Sequence, residues 1–257
     1  MLFLRNLIVA FSLYSRIPVP IFEWQEADMK YNLVFLPWVG AVIGALVAVA
    51  VLGMRALGLA LVPQLLLASV LPILVTGGFH VDGFMDTQDA LNSYRPREEK
   101  LRILKDPHIG AFAVISLLAF SLVWGAALYL VLEEAPLQGI LQLGLIFPLV
   151  RGAAGLTSLC FAHARKDGML NTETSGAAAG CRRILALELA AAAVFVLAAG
   201  MRTGLCMLAG LGGFTWVYHR RCTKAFGGVT GDTTGWFVTT GELVCLVLAA
   251  LGGLLWK

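Results

Sequence analysis

Apolar runs dominate the chain and break at short polar stretches. Crossing roughly 30 Å of hydrocarbon takes about 20 helical residues. Runs of that order lie near 32–54, 56–75, 111–132, 137–162, 184–200, 203–218 and 236–256, the fifth and sixth being short. The pattern predicts an all-α, polytopic integral membrane bundle of about seven spans. A shorter apolar stretch, Leu7 to Tyr14 after Arg5, predicts an N-terminal interfacial or half-spanning helix retained in the protein, since no small-residue cleavage site precedes Ile17-Pro18-Val19-Pro20. Gly40 and Gly44 have the small-xxx-small spacing that lets helices approach closely in lipid. Pro63, Pro72 and Pro148 fall inside spans and are expected to kink or break them.

Composition agrees. The 257 residues are 59% hydrophobic and only 14% charged, against about 25% charged in soluble domains; the mean hydropathy is +0.82. No repeat or low-complexity linker divides the chain, so residues 1–257 are expected to form one membrane domain. The net charge of +3 does not predict nucleic-acid binding, because the basic residues gather at span ends. Fifteen Lys and Arg fall before the first span or in 76–110, 163–183 and 219–235. Only Arg55, Arg202 and Lys257 fall on the alternate side, with the acidic pair Glu133-Glu134. The positive-inside rule then puts those three connections together on the cytoplasmic face of the inner membrane. Cys160, Cys181, Cys206, Cys222 and Cys245 form no CxxC pair and read as apolar filler.

Chemistry is concentrated in those connections. Within TGGFHVDGFMDTQDAL (76–91), Asp82, Asp86 and Asp89 are four and three residues apart. At about 100° per residue they share one helical face within roughly 60° of arc. Such a stripe repels itself unless a cation sits among its members. Oxygen ligands favour magnesium or manganese over zinc. Farther on, NSYRPREEKLRILK predicts a loop entering a short surface helix, with Pro96 in its first turn and Leu101 and Leu104 on its apolar side. KDPHIG (Lys105 to Gly110) follows.

The third connection holds GGVTGDTTGW, Gly227 to Trp236. Its glycine-rich turn offers backbone N–H groups to phosphate oxygens, and Asp232 is placed to ligate a metal. It matches no P-loop pattern. Arg151, alone among the basic residues, lies well inside a span. It is expected either to pair with a buried carboxylate, Glu188 or Glu242, or to clamp a phosphate. Of the four histidines only His80 and His108, flanked by acids, suggest a direct role. Residues and spacing thus reach a metal-dependent membrane enzyme acting at the cytoplasmic face on a diphosphate substrate. Other magnesium-dependent membrane transferases, of the prenyltransferase or CDP-alcohol phosphotransferase type, and a transporter remain open at this point.

Four motifs, SRIPVP, GGFHVDGFMDTQDAL, KDPHIGAFAV and GGVTGDTTG, resemble those of the cobalamin synthase family, the adenosylcobinamide-GDP ribazoletransferases, along nearly the whole chain. DALNSYRPREEK departs from the DGL-type continuation of other members but leaves the aspartates intact. The resemblance implies transfer of α-ribazole, or its 5′-phosphate, onto adenosylcobinamide-GDP with release of GMP. On that reading Asp82, Asp86 and Asp232 hold Mg2+, and Asp89 or His80 accepts the hydroxyl proton. Lys105 and Arg151 neutralise the leaving phosphate. Gly228, Thr230, Gly231, Asp106 and His108 bind substrate. Membrane lipid is the implied surrounding, and a homo-oligomer is compatible with the sequence.

Overall fold

The computed structural model of the protein describes residues 2–134 and 136–255. Trp256, which closes the last expected span, and Lys257 lie outside the described residues. Every apolar run forms a helix. In chain order the helices are α1 (Leu2–Tyr14), α2 (Leu36–Ala56), α3 (Leu61–Thr76), α4 (Phe79–Asn92), α5 (Arg97–Ile103), α6 (Ala111–Glu134), α7 (Pro136–Cys160), α8 (Met169–Ser175), α9 (Cys181–Ala199), α10 (Met201–Phe226) and α11 (Gly231–Leu255). Two 3-10 turns precede α2, and no strand occurs among the described residues.

Length and apolarity single out four helical stretches able to cross a membrane, Ala27–Ala56, Ala111–Glu133, Leu137–Cys160 and Gly231–Leu255. A fifth is added if α3 and α4 count as one broken span. This is fewer than the seven expected. The shortfall is one of polarity and length: α9 opens with Arg182-Arg183 and carries Glu188. In α10, which also runs two turns past the expected end, Arg202, Thr203 and the glycines Gly204, Gly210, Gly212 and Gly213 dilute the apolar stretch, and α3 alone has only 16 residues.

α2 and α7 pack closely because their contact is made of small residues. A Cβ on Gly40 would lie 2.6 Å from the Phe147 carbonyl oxygen, and one on Gly44 would overlap the backbone of Gly144. Pro148 sits inside α7 at the same crossing. α11 is the central helix, with Trp236, Phe237, Val238, Cys245 and Leu246 buried against its neighbours.

The turn between α3 and α4 sets the functional end. Gly77 and Gly78 both adopt left-handed conformations, φ +68° and +81°, which L side chains rarely tolerate. They bend the chain by 93°. The extended SRIPVP segment crosses this corner: the Arg16 N–H donates to the Val75 carbonyl at 2.7 Å and its side chain lies over Gly77. α4 leaves the corner packed along the N-terminal half of α11. Pro96, expected inside the first turn of α5, is its N-cap residue instead.

Candidate active site

α4 and α11 meet backbone to backbone at Gly83 and Gly235. A Cβ on Gly83 would sit 2.7 Å from the Asp232 carbonyl oxygen, and one on Gly235 would sit 2.9 Å from that of His80. Two glycines on facing helices therefore bring the aspartate stripe beside the GDTTG turn. The start of α11 is fixed by a reciprocal cap. The Thr230 N–H donates to Thr233 Oγ1 at 2.8 Å, and the Thr233 N–H donates to Thr230 Oγ1 at 3.2 Å. Asp232 in the first turn complements the helix dipole. The glycine-rich stretch outside the helix is thus only Gly227 to Thr230.

The second connection closes over this end. The Val229 N–H donates to the Ala162 carbonyl at 2.8 Å, and the Ala164 N–H to the Val229 carbonyl at 2.9 Å. Gly228 faces the Ala162–Ala164 backbone with no room for a side chain. Arg165 donates to the Leu101 carbonyl, and Lys105 pairs with Asp167 at 3.2 Å. The Lys105 ammonium, through that hydrogen bond, holds the Asp167 carboxyl below its ordinary range.

These elements enclose a cavity of about 280 Å³. Its lining includes the carboxylates Asp82, Asp167 and Asp232, the cations Lys105 and Arg165, and the turn residues Thr230 and Gly231. Asp86 does not line it, but lies in the field of Asp82, Asp232 and Asp89. Arg165 acts on Asp232 in the opposite sense. Among the described residues, no three His, Cys, Asp or Glu side chains stand close enough to hold a metal ion unaided. The donors are nevertheless all carboxylate oxygens. Magnesium ordinarily takes one or two carboxylates and completes its shell with water and substrate phosphate, so this donor set fits it.

Other expected site residues lie elsewhere. Asp89 packs its carboxylate over Gly110, at the end of KDPHIG, where a Cβ would overlap it. Asp106 accepts from the His108 N–H at 3.0 Å and pairs with His108 Nδ1 at 2.7 Å, on an exposed loop outside the cavity lining. His80 is on the far side of α4, where its ring, 5% exposed, lines a second cavity with Arg151 and Glu242. Arg151 is ion-paired with Glu242, the bland alternative the sequence had offered. Glu188 instead accepts from Trp38 Nε1 at 2.8 Å. Sequence reasoning missed Arg165. Its only signal was the basic cluster directly after α7.

An apolar helical bundle with a small polar cavity lined by side chains of both charges defines a membrane-embedded enzyme for a charged substrate. Comparison with known proteins narrows the class. The chain belongs to the cobalamin-5-phosphate synthase family, whose model matches residues 6–250. It is 36% identical to the adenosylcobinamide-GDP ribazoletransferase of Lachnoclostridium phytofermentans over 95% of this chain and 92% of that one. It is 30% identical to that of Clostridium botulinum (strain Alaska E43), over 96% and 97%. The Listeria monocytogenes serotype 4a enzyme of the same name is 34% identical, over 98% and 100%. No solved structure matches the chain.

Proposed function

We propose that the protein transfers α-ribazole, or its 5′-phosphate, onto adenosylcobinamide-GDP, giving adenosylcobalamin, or its 5′-phosphate, and GMP. The observation that carries this reading is family membership over almost the full chain. Three of the four motifs behind the resemblance line the cavity: Asp82 and Gly83 come from GGFHVDGFMDTQDAL, Lys105 from KDPHIGAFAV and Thr230 to Asp232 from GGVTGDTTG.

In the proposed reaction a ribose hydroxyl attacks the phosphorus bearing the cobinamide arm. One P–O bond forms, the phosphoanhydride bond breaks, and GMP leaves with the electron pair. Of the three aspartates expected to do so, Asp82 and Asp232 line the cavity and would hold Mg2+, with Asp86 outside the lining adding to their negative field; when bound, the ion would neutralise charge on the diphosphate. Arg165 neutralises the leaving phosphate, with Lys105, which is shared with Asp167, in the lining of the same cavity. Arg165 thereby takes the part expected of Arg151, whose charge is engaged with Glu242. His80 faces away from the cavity and Asp89 packs over Gly110 outside its lining, so the hydroxyl proton passes to one of the carboxylates that do line it, Asp82 or Asp232. The charge asymmetry of the connections supports a site on the cytoplasmic side of the inner membrane.

The test is incubation of the purified protein with adenosylcobinamide-GDP, α-ribazole and magnesium, following GMP. Release that requires both substrates and stops with EDTA is expected. Absence of GMP, or release indifferent to EDTA, overturns the substrate or the metal assignment respectively.

A further inference from the structure

A second cavity, of about 270 Å³, lies between α3, α4, α6, α7 and α11. Its walls are mostly apolar, including Leu66, Pro72, Ile73, Phe120 and Trp124, and its polar end is His80 with the Arg151–Glu242 pair. Ionisable groups are expensive inside a membrane bundle and mark sites by default. The polar end is also unsatisfied. Nδ1 of His80 and Nε of Arg151 are sealed from solvent with no hydrogen-bond partner, although the two residues are 5% and 2% exposed. Buried orphan polar atoms are rare in folded proteins, and each calls for an explanation.

We infer that this cavity binds a neutral amphiphile drawn from the bilayer, with its apolar body along α3 and α6 and its polar group at His80. Three observations select that chemistry. Arg151 and Glu242 cancel one another, so the polar end offers hydrogen bonds and no net charge to attract an ionic headgroup. Leu66 and Ile73 line the cavity and are also 58% and 45% exposed, on the α3 face that displays Val70 and Leu74. The opening therefore lies on the lipid-facing side. The cavity also shares no lining residue with the polar one: of the α4 residues, His80 and Val81 line this cavity and Phe79, Asp82 and Gly83 line the other. The inference does not rest on the proposed reaction.

Trp124 supplies a reporter. The protein would be placed in phosphatidylcholine nanodiscs doped with diacylglycerol brominated on its acyl chains. The signal is the tryptophan quenching of the wild type less that of Trp124→Phe. Saturable quenching is expected, displaced by unbrominated diacylglycerol. Gly125→Leu should shift half-saturation at least tenfold, because Gly125 lines the cavity and a Cβ there meets nothing within 4 Å. His80→Phe should act similarly and His80→Gln should restore binding. Quenching that rises linearly with probe, that is unchanged in Gly125→Leu, or that α-ribazole displaces, overturns the assignment. GMP release by Gly125→Leu is read separately, so that loss of probe binding with turnover retained separates this site from the catalytic one.

Discussion

Gly83 rests on the main chain of Asp232: a Cβ at position 83 would lie 2.7 Å from the Asp232 carbonyl oxygen and 3.0 Å from its Cα. This contact joins two sequence motifs about 150 residues apart and sets Asp82 and Asp232 in one cavity lining. Gly83→Ala must push α4 off α11, because backbone atoms of a central helix cannot give way. Overpacking of this kind costs about 1–3 kcal/mol. The expected result is a fall of tenfold or more in GMP release with helical content by circular dichroism retained.

Asp82 and Asp232 line the cavity together. Asp82→Asn and Asp232→Asn should each lower GMP release by two orders of magnitude or more, with the protein folded and extractable as the wild type. Asp86→Asn should behave likewise, through its position among the other three carboxylates. Near-normal turnover in all three would remove the metal-site reading.

Arg165 lines the same cavity as Asp82 and Asp232. Arg165→Met keeps much of the apolar stem and removes the charge. The variant should raise KM for adenosylcobinamide-GDP by an order of magnitude or more and leave KM for α-ribazole within twofold. Initial rates with each substrate varied in turn check the split, and equal effects on both would place Arg165 outside phosphate binding.

Much of this was legible beforehand. Apolar runs announced the helices, because a segment in lipid has to satisfy its backbone internally. Gly40 and Gly44 announced a close helix contact. The spacing of Asp82, Asp86 and Asp89 required a helix, and α4 is one. What the sequence withheld was rotation and depth. His80 precedes Asp82 by two residues, and about 200° of helix turn sends its ring to the other side of α4. Arg151 read equally as clamp or structural partner until Glu242, 91 residues later, was placed beside it. Arg165 carried no motif, and its loop is brought to the site by the pairing of Val229 with the 162–164 backbone, together with the Arg165–Leu101 and Lys105–Asp167 contacts.

The Arg151–Glu242 pair predicts an asymmetry between single and double variants. Both side chains are nearly enclosed, 2% and 11% exposed. Removing one partner leaves the other charge uncompensated, at a cost of about 3–5 kcal/mol. Glu242→Leu and Arg151→Met alone should each lower Tm in detergent markedly. The double variant should recover most of the loss, because an apolar pair is often as stable as a buried ion pair. Additive losses would show that the two groups are not coupled.

Glu173, in α8 outside the membrane-spanning helices, accepts a hydrogen bond from the Tyr14 hydroxyl at 2.9 Å and ties the N-terminal helix to the second connection. It is 2% exposed. Burial pushes its carboxyl up to about 7, against the opposing pull of hydrogen bonds from Tyr14 and Asn32. The folded protein therefore holds a proton that the unfolded chain gives up near pH 4.5, and stability falls wherever the folded state binds more protons. The contribution is fully present below the unfolded value and is lost as pH rises through about 7. At 1.36 kcal/mol per unit, the loss is of order 3 kcal/mol. Tm measured from pH 5 to pH 8 should decline for the wild type and decline less for Glu173→Gln, which stays neutral throughout. Parallel curves for the two proteins would show that Glu173 titrates as it does in water.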